Sequence, residues 1–168
     1  MRAGLIEVSA RLPPPVARVW PAAWIIESAN QRDGLAGPSS LCWPLSTEAD
    51  IYEMTGGLGS SPVCGSIHHG TECNVDRGHN YGCTARPAED GNFHVFAIRF
   101  DAGASPPYAH WYLDGARFHS NGADEPVPHD VAMILNTALS QFEGAPPVTI
   151  DGNGVQHSFG WLRVWESV

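Results

Sequence analysis

The segment that most constrains this chain is Glu48–Glu53, where three of six residues are acidic within a stretch that otherwise reads as a β-strand. Strands are normally poor in Asp and Glu, because these residues pack badly on a half-buried pleated surface. Like charges at this spacing also repel one another, which raises the proton affinity of at least one carboxyl. Because Ile51 and Met54 are apolar, we interpret the strand as a site rather than as a solvated edge or a calcium-binding patch.

The parity of the three acids predicts a distortion of this strand. Side chains alternate between the two faces of a strand, so Glu48 and Asp50 share a face and Glu53 has the opposite orientation. A single β-bulge between Asp50 and Glu53 would return all three carboxyls to one face, and bulges are common beside active sites. Two carboxyls about 5 Å apart are the arrangement that retaining glycosidases use. The sequence therefore predicts a bulged strand at the base of an acidic cleft.

A turn-rich composition and alternating segments predict an all-β fold. The 168 residues include 18 Gly and 14 Pro, and no amphipathic helical pattern is found. About nine strands at roughly even spacing indicate a single domain, spanning 1–168, built as a sandwich or barrel. The predicted strands are 5–12, 19–26, 47–54, 63–69 (strand or loop), 93–100, 109–113, 116–119, 132–139 and 159–165, with a short one at 148–150. We interpret 132–139 as a strand covered on both faces, and 71–91 as a long loop tied by a disulfide.

The charge pattern argues against polyanionic partners. The net charge is −9, and all nine basic residues are arginines scattered along the chain. Without a basic stripe, neither nucleic acid nor an anionic membrane surface is an expected partner. No apolar run approaches the ~18 residues that a membrane-spanning helix needs. The sequence has no Gly-x-Ser-x-Gly elbow, no phosphate loop and no dinucleotide fingerprint. These absences argue against a hydrolase with a nucleophilic serine, a phosphate-loop nucleotide-binding enzyme and a dinucleotide-dependent enzyme.

The four cysteines, Cys42, Cys64, Cys73 and Cys83, are interpreted as disulfide partners. An even count in a turn-rich chain fits a secreted protein, and the sequence leaves the pairing open. A zinc site is the rival interpretation, but the nearest Cys and His clusters lack the paired C-x₂-C or H-x₃₋₅-H spacing. No signal peptide precedes the first predicted strand. We therefore expect either that an export signal lies on a further segment or that the protein is not secreted by the signal-peptide route.

Trp20 and Trp24 lie four residues apart and share one face of the predicted strand 19–26. They form either a wall of the core or a platform for a flat ligand. Sugar rings present apolar C–H faces that stack on indole rings, so a carbohydrate cleft suits this pair as well as a core does.

These residues together resemble glycoside hydrolase family 16, especially its laminarinase-like endo-β-1,3-glucanases and mixed-linkage β-glucanases. The family signature Glu-x-Asp-x-x-Glu, carried on a bulged strand, corresponds to Glu48–Glu53. Segments similar to other parts of the family follow in the same order: 5–13, 20–24, 42–44, 93–98, 110–115, 133–136 and 162–165. The resemblance extends over nearly the whole chain, and these ordered matches are more specific than the acidic motif alone.

The resemblance implies a jelly-roll β-sandwich of the concanavalin A-like type, in which two curved antiparallel sheets form a cleft on the concave face. It also implies retaining endo-hydrolysis of β-1,3- or mixed β-1,3/1,4-glucan. Glu48 would be the nucleophile, Glu53 the general acid/base, and Asp50 the residue that tunes the charge of the nucleophile. The further residues expected to bind the substrate are Trp20, Trp24, Trp43 and His68.

The same resemblance implies a secreted or cell-wall-associated monomer that binds β-glucan and needs no cofactor. We expect no calcium site, because 159–161 carries no acid where the family places a ligand. Family domains begin with further strands before the position of Leu5, so we expect an N-terminally truncated domain. Two alternatives stay open: a non-catalytic β-glucan-binding module, and a transglycosylase in which a sugar hydroxyl replaces water.

Overall fold

The protein is described here as a computed structural model that covers residues 1–14, 19–27, 43–54, 62–78, 80–84, 91–139 and 155–167. These residues form ten β-strands and no helix, so none of the described segments is a helix that could cross a membrane. The strands are β1 (Ala3–Arg11), β2 (Val19–Glu27), β3 (Glu48–Glu53), β4 (Val63–His68), β5 (Tyr81–Thr84), β6 (His94–Asp101), β7 (Tyr108–Leu113), β8 (Ala116–Ser120), β9 (Val131–Leu139) and β10 (Ser158–Glu166).

Within the described residues, the strands pair into two antiparallel five-stranded sheets that stack face to face. One sheet has the order β10-β1-β6-β7-β8, and the other has the order β5-β4-β3-β2-β9. In the first sheet, Val8 of β1 lies opposite Leu162 on one side and Phe96 on the other. The predicted all-β sandwich is therefore confirmed.

The core lies between the two sheets and follows from the alternation of side chains along each strand. Ile6 and Val8 point inward from β1, and Phe96 points inward from β6. Ile25 of β2 and Ile67 of β4 meet them from the opposite sheet, and each of the five is at most 2% exposed. Full burial of a side chain of this size contributes about 1.5–3 kcal/mol. The side chains on the outward faces of β2, β3 and β4 are not part of this core.

β3 contains the β-bulge that the sequence predicts. Its pairing with β2 passes from Tyr52 opposite Ala23 directly to Asp50 opposite Trp24, so Ile51 is the extra residue. The pairing of β3 with β4 shifts at the same point. Ile51 and Tyr52 are both fully buried, which returns the acids on either side of them to the opposite face.

One strand was not predicted from the sequence. The segment 71–91, interpreted as a loop, contains β5, which pairs with β4 at the edge of its sheet. Its side chains are exposed or half-buried, so the strand has no apolar alternation to reveal it. A disulfide joins Cys64 of β4 to Cys83 of β5, which confirms the predicted disulfide for these two residues. Cys42 and the predicted strand at 148–150 lie outside the described residues.

The interpretation of 132–139 as a strand covered on both faces is wrong. Among the described strands, β9 lies at the edge of its sheet and pairs with β2, and Leu135 and Leu139 are 38% and 59% exposed. Its apolar run has a different origin: Ala138 lines an open cleft on one face of the sheet, while Met133 packs against the core on the other.

Candidate active site

A cleft of about 420 Å³ opens on the face of the β5-β4-β3-β2-β9 sheet that points away from the core. β2, β3 and β4 supply their outward-facing side chains to it. The structure brings into this lining all seven residues singled out from the sequence: Trp20, Trp24, Trp43, Glu48, Asp50, Glu53 and His68. Asn136, Ala22 and Ala138 complete the lining.

Asp50 is the best shielded of the three acids, with 4% of its surface exposed. Ser66 Oγ lies 2.5 Å from Asp50 Oδ2 and 3.4 Å from Glu53 Oε1, so one hydroxyl links two of the carboxyls. Trp20 Nε1 donates a 3.0 Å hydrogen bond to Glu53 Oε2. Because Ser66 belongs to β4 and Trp20 to β2, these contacts hold the acids of β3 from both neighbouring strands.

The two glutamates have strongly altered protonation. Burial raises the pKa of Glu48 to about 7, and the negative charge of Asp50 acts in the same direction. Burial likewise raises the pKa of Glu53 to about 7, again assisted by Asp50. The positive charge of His68 opposes both shifts without cancelling them. Two carboxyls in one cleft whose pKa values are both about 7 titrate as a pair. The pair holds about one proton near neutral pH.

His68 lies between two carboxylates. Its Nδ1 is 2.6 Å from Asp76 Oδ2, and its Nε2 is 3.3 Å from Asp50 Oδ2. Burial by itself lowers the pKa of His68, but the hydrogen bonds to Asp50 and Asp76 outweigh it and raise the pKa to about 10. Both ring nitrogens are therefore protonated at neutral pH, and the imidazolium supplies a positive charge beside the acids.

Glu48, Asp50 and His68 form a cluster whose chemistry bears on metal binding. One ligand atom of each lies within 4.8 Å of the others, a spacing that could surround a cation. A histidine binds a metal through an unprotonated ring nitrogen, whereas the raised pKa of His68 keeps a proton on both nitrogens at neutral pH. In this protonation state the cluster is an imidazolium held between carboxylates.

Three tryptophans form walls of the cleft. Trp20 and Trp24 project from the outward face of β2, and Trp24 Nε1 donates a 2.9 Å hydrogen bond to Asn136 Oδ1 of β9. Trp43 is 38% exposed, and its ring centroid lies 5.5 Å from that of His68. Of the two interpretations of the β2 pair, the geometry favours the platform, because indoles anchored by their N–H groups offer flat apolar faces to a ligand.

Three polar residues at this site were not predicted from the sequence: Ser66, Asp76 and Asn136. Ser66 and His68 are two residues apart on β4 and so share a face, and this parity could have identified Ser66. Asn136 alternates in the same way with Ala138 on β9. Asp76 lies between β4 and β5, where no periodicity marks it.

Solved structures with this architecture include several laminarinases. The chain matches the laminarinase catalytic domain from Thermotoga maritima with a TM-score of 0.72 and 25% identity, over 100% of this chain and 65% of that one. It matches the catalytic domain of an endo-1,3-beta-glucanase (laminarinase) from Thermotoga petrophila with a TM-score of 0.69 and 26% identity, over 99% of this chain and 64% of that one. This chain has the laminarinase fold. The resemblance to glycoside hydrolase family 16 is thus confirmed in structure.

The laminarinase fold also extends to a less similar protein. A GH16 protein from the Bacteroides ovatus mixed linkage glucan PUL, solved in complex with a product, has a TM-score of 0.72 and 22% identity, over 98% of this chain and 70% of that one. The chain spans just under two thirds of the length of the two Thermotoga domains. No protein-family model and no curated protein matches the sequence.

Proposed function

We propose that this protein is a retaining endo-hydrolase of β-1,3- or mixed β-1,3/1,4-glucan. The observation that carries the proposal is the bulge in β3, which puts Glu48, Asp50 and Glu53 on one face of the strand and in one cleft. Retaining glycosidases use two carboxyls that act together on one sugar. The similarity to laminarinase catalytic domains supports the same chemistry here.

Glu48 is proposed as the nucleophile and Glu53 as the general acid/base. The reaction needs one carboxyl ionised and the other protonated at the same pH. The raised pKa values of both groups, about 7, support a pair that holds one proton near neutrality. Glu48 lies directly opposite His68 in the register of β3 and β4, which favours the negative charge at Glu48.

The reaction would proceed by double displacement. A Glu48 carboxylate oxygen bonds to the anomeric carbon, the glycosidic C–O bond breaks, and Glu53 gives its proton to the leaving oxygen. The shortened glucan leaves, and a covalent glycosyl-enzyme remains. Glu53, now ionised, takes a proton from water, whose oxygen attacks the same carbon and releases Glu48. Two inversions at one carbon leave its configuration unchanged.

Asp50 acts on the pair without reacting itself. Its charge raises the pKa of both Glu48 and Glu53, which keeps a proton on the pair at neutral pH. Its Oδ2 contacts Ser66 Oγ and His68 Nε2, so the charge is held in place.

The cleft suits a neutral polysaccharide. Trp20, Trp24 and Trp43 offer apolar ring faces to the C–H faces of sugars. A polymer of uronates or sulfated sugars would meet like charge, because three carboxyls line the cleft and the whole chain carries −9. A neutral β-glucan carries no such charge. The Cys64–Cys83 disulfide supports a location outside the reducing cytosol, where such polymers are met.

The proposal is tested by Glu48→Gln and Glu53→Gln, assayed for release of reducing sugars from laminarin. Glu48→Gln is expected to abolish release, and Glu53→Gln to reduce it by about 10²–10⁴-fold. Glu72→Gln is the matched control, because this glutamate is 69% exposed and does not line the cleft. The proposal is wrong if Glu48→Gln keeps most of the wild-type activity.

A pull-down on insoluble β-glucan separates loss of chemistry from loss of binding. Both variants should bind as the wild type does, because Gln keeps the shape of Glu. Wild-type protein that binds glucan without releasing sugar would favour a binding module. Longer oligosaccharides formed from short ones would favour a transglycosylase, in which a sugar hydroxyl replaces water in the second step.

A further inference from the structure

Asp76 takes no part in the proposed reaction, yet hydrogen bonds hold its carboxylate beside the cleft. Its Oδ2 lies 2.6 Å from His68 Nδ1. Its Oδ1 accepts hydrogen bonds from the backbone N–H groups of Gly78, at 2.9 Å, and His69, at 3.3 Å. One oxygen of this carboxylate is therefore fixed by the backbone, which leaves the other directed at the imidazole.

The segment that carries Asp76 runs directly against β4. A Cβ added to Gly78 would come within 2.2 Å of the Ile67 carbonyl oxygen, so the two backbones approach more closely than a side chain would permit. The Asp76 and His68 side chains are 19% and 24% exposed. A charged hydrogen bond that is fixed and partly shielded from water is stronger than an exposed one.

We propose that Asp76 is a positioning residue: it holds His68 as an imidazolium against Asp50, and the charge of that imidazolium sets the pH range in which Glu48 and Glu53 react. The inference rests on the proposed function. Asp76 accepts the Nδ1 proton, which orients the ring so that the Nε2 proton points to Asp50 Oδ2. Asp76 therefore acts on the glutamates through His68 and touches neither substrate nor reacting atoms.

The charges around His68 give the direction of the effect. Among the described residues, the ionisable groups that face it are Glu48, Asp50 and Glu53 from β3 and Asp76 from the segment after β4, and it also contacts the neutral groups Ser66 and Trp43. The cation at His68 lowers the pKa of both glutamates. Without the charge of Asp76, His68 loses its proton at a lower pH. The two glutamates then hold their protons to a higher pH.

Asp76→Asn isolates this effect. The Asn Oδ1 can still accept the backbone hydrogen bonds of Gly78 and His69, while the amide NH₂ cannot accept the Nδ1 proton. Two measurements are made: the NMR titration of the His68 ring, and the pH profile of kcat/KM on laminarin. We expect the His68 midpoint to move to lower pH and the profile to higher pH. Activity at the wild-type optimum should fall about tenfold, as expected for a lost charged hydrogen bond.

Asp114→Asn is the matched control. Asp114 Oδ2 lies 2.7 Å from His94 Nδ1, a contact of nearly the same geometry in the turn between β7 and β8. This variant should leave the His68 titration and the pH profile as in the wild type.

Two results would overturn the inference. One is a His68 titration in Asp76→Asn that coincides with that of the wild type. The other is a pH profile that does not move while the melting temperature falls, which would make Asp76 purely structural. A wild-type protein that releases no sugar would contradict the proposed function instead, and the NMR titration would still decide whether Asp76 holds the His68 proton.

Discussion

The indole Nε1 of Trp111 donates a 2.6 Å hydrogen bond to the backbone carbonyl of Asp50. Trp111 belongs to β7 in the opposite sheet and is fully buried, so this bond crosses the core and ends at the bulge. A bulge disrupts the regular hydrogen-bond ladder of its strand, and the indole supplies a partner at that point. The core therefore supports the geometry of the cleft on the far side of the sheet.

Trp111→Phe should weaken both the fold and the site. The Asp50 carbonyl would stay buried without its donor, which costs about 1–3 kcal/mol in the free energy of unfolding. Urea unfolding measures the loss of stability, and initial rates on laminarin measure the effect on the acids of β3. Tyr112→Phe is the control, because the next residue on β7 points away from the core. Equal losses in the two variants would contradict a role for the indole N–H.

Gly65→Ala should disturb the same contact from the other side. A Cβ at this position would lie 2.2 Å from Trp111 Cδ1, so the indole would have to move. Overpacking of this kind costs about 1–3 kcal/mol. Thermal melts should show a clear decrease for Gly65→Ala and little change for Gly122→Ala, where the nearest atom to the new Cβ is 3.6 Å away. A melting temperature that does not change would show that Trp111 can shift at no cost.

The two glutamates should destabilise the fold at alkaline pH. Their pKa values in the folded protein are about 7, above the ordinary 4.5, so the native state binds these protons more tightly than the unfolded chain does. The stability that the protonated forms contribute is complete below pH 4.5 and is lost as the pH rises through 7. Glu53→Gln should therefore raise the melting temperature at pH 8, by about 2–4 °C per kcal/mol recovered. The same variant should have a smaller effect at pH 5, and an equal decrease at both pH values would contradict this account.

His157 should destabilise the fold at acidic pH, whereas the two glutamates do so at alkaline pH. Burial lowers its pKa to about 4, and its ring contacts Tyr52 Oη at 2.8 Å and Thr137 Oγ1 at 3.0 Å. Because the folded-state pKa is depressed, the stability contributed by the neutral ring is complete above pH 6.5 and is lost as the pH falls through 4. His157→Gln should reduce the difference between melting temperatures measured at pH 7.5 and pH 4.5. An unchanged difference would show that other groups cause the acid sensitivity.

Much of the fold could be predicted because its signals are local. Alternation along β1, β2 and β6 identifies strands without knowledge of their partners. The parity of Glu48, Asp50 and Glu53 requires the bulge, since no regular strand places all three on one face. The fold and the bulge in the acidic strand can therefore both be predicted from the alternation of side chains between the two faces of a strand.

Other features depend on contacts between distant segments and leave no local pattern. β5 is a strand because it pairs with β4 and shares the Cys64–Cys83 disulfide, while its own side chains do not alternate in polarity. The prediction for β9 is wrong because an apolar run looks the same in a sequence whether its outward face packs against a second layer or lines an open cleft. Asp76 reaches His68 from the segment that follows β4, which only the folded chain reveals.

The central claim is that Glu48 and Glu53 act by double displacement, and the most direct measurement is the anomeric configuration of the first product. Proton NMR during the first minutes of laminarin hydrolysis distinguishes the new reducing ends before they equilibrate. Two displacements predict that the β-anomer forms first and the α-anomer follows only by mutarotation. Initial formation of the α-anomer would mean a single displacement by water, and would contradict the role of Glu48 as the nucleophile.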